Sequence, residues 1–184
     1  MDRFLGASSE TGRVVLLTGE RGVGKTTVCR QVVKMAERMG LTCGGILTLA
    51  DHGVRDVVDV RNGSRRRLAQ VSGSGEAVIQ GRFRFDPEAL RWGEAVLSRA
   101  TPCDLLVVDE IGPLEMERGQ GWVAALDVLL AGEYRLALAV LRPEWVAQTQ
   151  AELTDCAPEV VTVTRENRSE LPVYLLDMLA GGQP

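Results

Sequence analysis

The sequence predicts an α/β protein with a doubly wound, mainly parallel sheet and a β-hairpin insertion. Apolar, strand-like segments alternate with segments of helical spacing along most of the chain, which is typical of parallel sheets with helical crossovers. Residues 14–17 are all apolar, and residues 104–109 are nearly all apolar before the final acid, as expected for a central strand covered on both faces. Asn62-Gly63 lies between two further β-rich segments and signals a hairpin turn.

The spacing of apolar residues predicts the order of elements. Strands are expected at residues 14–17, 42–50, 54–60, 64–71, 83–85, 104–109, 136–141 and 160–163. Helices are expected at residues 27–39, 87–100, 120–131, 144–153 and 171–179. Asp86 and Pro87 mark the start of the second helix, because an Asp side chain caps free N–H groups and Pro suits the first turn. The third helix is expected to bury Trp122, Leu126, Leu129 and Leu130.

Length and composition predict one domain, residues 1–184, because 184 residues can form one well-packed core and no linker composition divides them. The net charge of −4 gives no overall attraction to nucleic acid or to an anionic membrane. No apolar run is long enough to span a membrane, and residues 1–10 lack a signal pattern. We therefore expect a cytoplasmic protein without a membrane or nucleic-acid partner. The sequence does not specify its oligomeric state.

Cysteine and histidine usage excludes several kinds of site. Cys29, Cys43, Cys103 and Cys156 are scattered without a C-x-x-C pair, so neither a zinc site nor a disulfide framework is expected. They are expected to be small core residues. His52 is the only histidine, and its Asp-His-Gly context favours a turn over a catalytic role.

A glycine-rich segment between the first strand and the first helix fits the phosphate-binding pattern G-x-x-x-x-G-K-[ST]. In this pattern backbone N–H groups surround an anion, Lys25 reaches the β- and γ-phosphates, and the Thr26 hydroxyl is a ligand for Mg²⁺. An ordinary glycine-rich turn is the alternative interpretation. The predicted nucleotide-binding residues of this segment are Gly19, Glu20, Arg21, Gly22, Val23, Gly24, Lys25, Thr26 and Thr27.

A pair of acidic residues follows the second buried strand. Ligands of open parallel sheets lie at the carboxyl ends of strands, so Asp109 and Glu110 are expected beside the phosphate loop. Asp109 would hold Mg²⁺ directly or through water, and Glu110 would align and deprotonate an attacking water. Two carboxylates that cap a loop are the alternative. The predicted nucleotide site also includes the rest of this segment, namely Leu105, Leu106, Val107, Val108, Ile111 and Gly112.

Several other polar residues are candidates with two interpretations each. Arg142, at the end of strand 136–141, would stabilise transition-state charge or form a buried ion pair. Asn167 and Arg168 follow the last strand, where they would contact the base or cap a helix. Residues 65–67, three arginines on the hairpin, would form a solvated sheet edge or reach over bound phosphates.

The motifs together resemble the small P-loop nucleoside-triphosphatases known from thermophiles and animals, which have a RecA-like core. Residues 109–116, Asp-Glu-Ile-Gly-Pro-Leu-Glu-Met, resemble the family's D-E-I-G-K-M-E-[LM], with Pro113 in place of its lysine. Residues 166–168 resemble its late N-R turn, and residues 45–68 resemble its G-x-x-T…V-R…G-x-R segment. The resemblance implies a RecA-like P-loop fold and Mg²⁺-dependent hydrolysis of ATP, GTP and other nucleoside triphosphates.

Three functions compete on this basis. Hydrolysis would use water as the acceptor and Glu110 as the base. A kinase would transfer the γ-phosphoryl group to a small metabolite or nucleotide, with residues 65–67 on its lid. A nucleotide-gated binding module would use slow hydrolysis to time an interaction. The adjacent Asp and Glu favour hydrolysis, and the absence of the guanine-reading Asn-Lys-x-Asp pattern predicts loose base selectivity.

Overall fold

A nine-stranded mixed sheet runs through the computed structural model, which describes residues 12–181. Its strands are β1 (Arg13–Thr18), β2 (Cys43–Asp51), β3 (Val54–Asp59), β4 (Arg65–Gln70), β5 (Val78–Gln80), β6 (Phe83–Phe85), β7 (Cys103–Ile111), β8 (Tyr134–Leu141) and β9 (Glu159–Thr162). Their spatial order is β5-β6-β4-β3-β2-β7-β8-β1-β9. Residues 1–10, which lack the sequence pattern of a signal peptide, lie outside the described part of the chain.

Six helices accompany the sheet within residues 12–181: α1 (Lys25–Arg38), α2 (Pro87–Leu97), α3 (Pro113–Arg118), α4 (Ala124–Ala131), α5 (Val146–Glu152) and α6 (Leu171–Leu179). Two short 3₁₀ turns, Pro143–Trp145 and Thr154–Cys156, flank α5. The Asp86 side chain accepts a hydrogen bond from the Glu88 N–H, which confirms the predicted cap of α2. Every helix in the described residues is too short or too polar to cross a membrane.

The parallel half of the sheet comprises β2, β7, β8, β1 and β9. One apolar core lies between this half and α2 and α4, and a second lies between it and α1 and α6. Alternate residues of each strand enter opposite cores: Leu106 and Val108 enter the first, while Leu105 and Val107 enter the second. Helices on both faces confirm the predicted doubly wound arrangement of this half, but the whole sheet is mixed rather than mainly parallel, because four of its eight strand pairings are antiparallel.

The remaining strands, β3 to β6, form an antiparallel extension of the same sheet. The predicted hairpin is present as β3 and β4, which are joined by residues 60–64. The insertion is larger than a hairpin, because β6 pairs with β4 and β5 pairs with β6. Strand β5 is three residues long, too short to give a recognisable alternation of apolar and polar residues.

The segment between β7 and β8 differs from the prediction of one helix over residues 120–131. It contains two helices, α3 and α4, and α4 begins only at Ala124. Trp122 and Leu129 are buried as predicted, and Leu126 is partly buried against the same core. The prediction for Leu130 was wrong: it is 45% exposed, because α4 turns its Leu129 side toward the sheet.

The three arginines on β4 have partners on β3 and on α2. Residues 65–67 form a solvated edge, as one interpretation predicted, because β6 pairs with β4 only at Ala69 and Gln70 and the three arginines are exposed. Arg65 and Arg67 both bond to the buried Asp56, with Arg67 Nε 2.7 Å from Asp56 Oδ1. Burial alone would raise the pKa of Asp56, but these two arginines hold it below its usual value. Arg66 instead lies over the Trp92 ring, 5.3 Å from the ring centroid, and the three arginines therefore do not reach over the phosphate loop.

Candidate nucleotide site

The phosphate loop joins the end of β1 to the start of α1, with Gly24 as the helix N-cap. Gly24 has a φ of 118° and Gly19 a φ of 131°, in the region that favours glycine. A Cβ on Gly19 would lie 2.4 Å from the Val163 carbonyl oxygen, so a side chain there would collide with the backbone after β9. Glycine at these positions therefore allows the loop to close against its neighbour and to present its N–H groups at the start of α1.

Lys25 is the first residue of α1 and its side chain folds back over the loop. Its ammonium donates to the carbonyl oxygens of Gly19, at 2.7 Å, and of Glu20, at 2.9 Å. Partial burial lowers the pKa of Lys25 below its usual value, while the nearby carboxylates of Glu110 and Asp109 oppose that shift. The positive charge is thus placed across the loop that would hold the phosphates.

Asp109 lies beside the phosphate loop, although β8 separates β7 from β1 in the sheet. It is 1% exposed, and its Oδ1 accepts a hydrogen bond from the Thr26 hydroxyl at 3.2 Å. Its Oδ2 accepts from the Thr48 N–H at 3.0 Å, and the Thr48 hydroxyl donates to the Asp109 carbonyl at 3.2 Å. The structure therefore brings together the two residues predicted to bind Mg²⁺.

The chemistry of Thr26 and Asp109 fits a magnesium ion. Both offer oxygen atoms, which are the ligands that Mg²⁺ prefers, and such ions usually take one or two protein ligands besides phosphates and water. No group of three or more His, Cys, Asp or Glu in residues 12–181 is arranged to hold a metal alone. Burial raises the pKa of Asp109 to about 7, and a cation at its side would offset the cost of burying its charge.

Glu110, near the end of β7, has an unusual backbone conformation. Its φ is 74°, a value that few non-glycine residues adopt, and the pairing of β7 with β8 is irregular between Val108 and Ile111. The carboxylate lies between two guanidinium groups. Arg55 Nη1 is 2.5 Å from Glu110 Oε2, and Arg142 Nη2 is 3.4 Å from Glu110 Oε1. Glu110 is therefore aimed away from the strand and held by charge.

A cleft of about 610 Å³ connects the loop with the carboxyl ends of β2, β7 and β8. Arg142 is 43% exposed at its rim and also lies 4.0 Å from Glu144, so its interpretation as part of a buried ion pair does not apply. The predicted site residues that line the cleft are Gly19, Arg21, Gly22, Gly24, Lys25, Thr26, Thr27, Asp109, Glu110 and Arg142.

Other predicted site residues do not line this cleft. Leu105, Leu106, Val107, Val108 and Ile111 are each 0% exposed. Their assignment to the binding site was wrong, because their side chains pack in the two cores. They contribute to the site only as part of β7, the strand that carries Asp109. Gly112 is the N-cap of α3, whose first residue is Pro113, and Val23 is buried beneath the loop. Glu20 contributes the carbonyl that accepts from Lys25.

Asn167 and Arg168 bond to the protein, in a turn that follows β9. The Asn167 side chain accepts from the Thr164 N–H at 2.8 Å and donates to the Thr162 carbonyl at 2.9 Å. Arg168 Nη1 donates to the Val23 carbonyl at 3.2 Å. Asn167 therefore shapes the turn and Arg168 braces the phosphate loop, and neither lines the cleft.

Two residues of the cleft, Thr48 and Arg55, were not predicted as site residues. Thr48 is a polar residue inside the buried strand β2, and this was a signal that could have been used. Both also fall in the G-x-x-T…V-R segment of the resemblance, as Gly45 to Thr48 and Val54-Arg55. No periodicity marks Arg55, because its neighbours on β3 alternate irregularly between buried and half-buried.

Comparison with known proteins agrees with this geometry. A family model described as NTPase matches residues 14–176. A nucleoside-triphosphatase THEP1 from Methanosarcina acetivorans is 35% identical over 165 residues, 86% of this chain and 91% of that protein. One from Methanopyrus kandleri is 33% identical over 173 residues, covering 89% and 93% of the two chains.

A solved structure shares the fold. The crystal structure of THEP1 from the hyperthermophile Aquifex aeolicus superposes with a TM-score of 0.70 and covers 90% of this chain and 98% of that one. At 20% identity this likeness supports the fold alone. The match of the family model over most of the sequence, together with relatives above 30% identity, shows that the chain belongs to the NTPase family.

Proposed function

We propose that the protein is a Mg²⁺-dependent nucleoside-triphosphatase that hydrolyses ATP, GTP and other nucleoside triphosphates to the diphosphate and phosphate. The observation that carries the proposal is one cluster: Lys25 and Thr26 on the phosphate loop lie beside Asp109, and Glu110 follows at the cleft. The relatives in the same family are named for this activity, which supports the reaction type.

The binding step uses groups of the phosphate loop. The N–H groups at the start of α1 and the Lys25 ammonium would hold the β- and γ-phosphates. Thr26 and Asp109 would hold Mg²⁺, which when bound neutralises charge on the phosphate oxygens. In this structure the Lys25 ammonium donates hydrogen bonds to two loop carbonyls. The phosphate oxygens of a bound nucleotide would take the place of these carbonyls as acceptors.

The hydrolytic step needs a group that orients water in line with the γ-phosphorus. Glu110 is the carboxylate at the cleft that follows the metal-binding Asp109 directly. Its Oε1 has only the 3.4 Å contact with Arg142, whereas Oε2 is tightly bound by Arg55. Oε1 is therefore the oxygen available to accept a proton from water, and Arg142, which also lines the cleft, would contact charge that develops on the γ-phosphoryl group.

Broad base selectivity is part of the proposal. The two candidates for contact with the base, Asn167 and Arg168, bond to the protein backbone. Discrimination by 10⁴-fold or more needs buried donors and acceptors that pair with one base, whereas nonspecific contacts give about 1–3 kcal/mol. Specificity constants for ATP, GTP, CTP and UTP are therefore expected within about two orders of magnitude of one another.

The test is phosphate release from the four nucleotides, measured with Mg²⁺ and with a chelator. We expect one phosphate per nucleoside diphosphate, and no turnover once Mg²⁺ is removed. Addition of small hydroxyl-bearing acceptors should not divert the γ-phosphoryl group. If transfer of the γ-phosphoryl group to an acceptor greatly exceeds phosphate release, the protein is a kinase and not a hydrolase.

A further inference from the structure

Among the described residues that line the cleft, Arg55 is the only one that belongs to the antiparallel extension. It lies on β3, and its Nη1 is 2.5 Å from Glu110 Oε2 although the two residues are 55 positions apart in sequence. A contact this short between a guanidinium and a carboxylate is a charge-assisted hydrogen bond, about twice as strong as a neutral one. The extension is thereby connected to the proposed base.

The guanidinium of Arg55 is itself fixed from other sides. It lies over the Phe83 ring of β6, with the guanidinium carbon 4.5 Å from the ring centroid. The side chain is only 12% exposed, whereas the Arg142 side chain is 43% exposed. Arg55 is thus held between an aromatic face and Glu110, and Arg142 keeps access to solvent and to the cleft.

Glu110 needs such an anchor. With φ at 74°, its backbone is in a conformation that is strained for a non-glycine residue and persists only where the surroundings enforce it. The free side chain of a glutamate also has several rotatable bonds, so a single orientation must be imposed. Arg55 occupies one carboxylate oxygen and leaves the other facing the weaker Arg142 contact.

We propose that Arg55 is a positioning residue for hydrolysis: it fixes Glu110 through Oε2, so that Oε1 is directed at the attacking water. The two arginines then have different tasks. Arg55 orients the base and Arg142 contacts the phosphoryl group. This inference rests on the proposed function, and it makes the antiparallel extension part of the catalytic apparatus.

The test is a double-mutant cycle on the full chain with Mg-ATP. Arg55→Ala should lower kcat by about ten- to a hundredfold, the size of effect expected when a reacting group is misplaced by about 1 Å. KM should change by less than about threefold, because Arg55 acts through Glu110 and not through the phosphate loop. In a Glu110→Gln background, Arg55→Ala should cost less than about twofold, because the group that it orients is already gone.

A second measurement separates positioning from folding. Guanidinium ions at millimolar concentration, far below denaturing levels, should restore part of the kcat of Arg55→Ala by occupying the space beside Phe83. If the alanine variant does not fold, Arg55→Gln replaces it in the same cycle. The matched control is Arg67→Ala, which removes another arginine of the extension paired to a carboxylate, Asp56, outside the cleft. It should leave kcat within about twofold of the unmodified protein.

The outcomes distinguish this inference from the proposed function. An additive loss in the Glu110→Gln background, an equal loss in Arg67→Ala, or a raised KM with normal kcat would each overturn the role of Arg55. If Glu110→Gln alone retains full activity, the base itself is misassigned. Absence of phosphate release from the unmodified protein would instead reject the proposed hydrolase.

Discussion

The parallel half of the sheet and the antiparallel extension are built differently and contribute differently to the site. Strands β1, β7 and β8 are buried on both faces, under α1 and α6 on one side and α2 and α4 on the other. In the extension, α2 packs against β3 and β4, and the first three residues of β4 are exposed. The half with two covered faces holds the phosphate loop and Asp109, the groups that we propose bind the phosphates and Mg²⁺, and rigid strands keep these groups in place.

The extension contributes one side chain at the cleft, Arg55. A strand with one open face tolerates more variation in sequence and position than a central strand. The comparison therefore suggests a division in which the parallel half binds the nucleotide and the extension orients Glu110, the proposed catalytic base. Changes in the two regions should accordingly differ in whether they damage binding, turnover or stability.

The largest effect is expected from Lys25→Ala in the parallel half. Its ammonium lies across the phosphate loop, where it would contact the phosphates, so its loss should reduce turnover at least about a thousandfold and weaken nucleotide binding. Phosphate release and nucleotide titration measure the two effects. Lys34→Ala, an exposed lysine on the same helix, is the control and should behave as the unmodified protein. Normal turnover in Lys25→Ala would mean that the site is misplaced.

Glu110→Gln should damage turnover without damaging binding. The change preserves size, removes the basic oxygen and leaves Lys25, Thr26 and Asp109 in place. A positioned base contributes about 10²–10⁴-fold, so kcat should fall at least about a hundredfold while the affinity for Mg-ATP stays within about threefold. A loss of only a few-fold would show that Glu110 does not act as the base. Asp109→Asn is the contrasting variant, which should shift the Mg²⁺ dependence.

A matched pair of Leu→Ala changes, one in each region, should lower the free energy of unfolding by different amounts. Leu138 on β8 and Leu68 on β4 are both buried, at 0% and 2% exposure. Leu138→Ala leaves a cavity between a central strand and its helices, where the surroundings cannot collapse, and should cost about 4–5 kcal/mol. Leu68→Ala should cost about 2–3 kcal/mol, because the one-sided extension can relax. Denaturant unfolding measures both, and equal losses would contradict the comparison.

A pH-dependent stability effect is expected from Glu115, at the junction of the two regions. Its carboxylate accepts hydrogen bonds from the Gly112 and Trp122 N–H groups, and burial raises its pKa to about 7 from the usual 4.5. Because the folded protein binds this proton more tightly than the unfolded chain, the free energy of unfolding should fall as pH rises from 4.5 to 7. The contribution is on the order of 3 kcal/mol or less.

Glu115→Gln provides the check for that effect. The amide lacks the titration, so its free energy of unfolding should depend less steeply on pH over the same window, although the variant is less stable throughout for want of one acceptor. Thermal unfolding at a series of pH values measures the slope. If the free energy of unfolding depends on pH equally in the variant and in the unmodified protein, Glu115 is not the source of the pH dependence.

Sequence analysis predicted the parallel half well, because its signals are local. The phosphate loop is a contiguous pattern, and an apolar run before Asp109 marks a central strand at whose carboxyl end a ligand lies. The juxtaposition of Thr26 and Asp109, 83 positions apart, followed from a general property of parallel sheets. The side chains of residues 105–108 were assigned to the site only because they belong to the same motif.

The extension was predicted less well, because its contacts depend on sheet order. Arg55 meets Glu110 only because β3 adds to β2, which in turn lies next to β7. Neither the three-residue β5 nor the six-residue α3 is long enough to show a period. The exposed edge formed by residues 65–67 was predicted, but the partners of these arginines, Asp56 and Trp92, depend on how β3 and α2 pack against β4.

The fate of the γ-phosphoryl group tests the central claim most directly. Turnover of Mg-ATP in water enriched in ¹⁸O should give inorganic phosphate that carries one ¹⁸O atom per molecule, with none in ADP and one phosphate for each ADP. This result is expected if water ordered by Glu110 attacks the γ-phosphorus. Phosphate without ¹⁸O, or ADP that accumulates while the phosphoryl group is recovered on another molecule, would contradict the account.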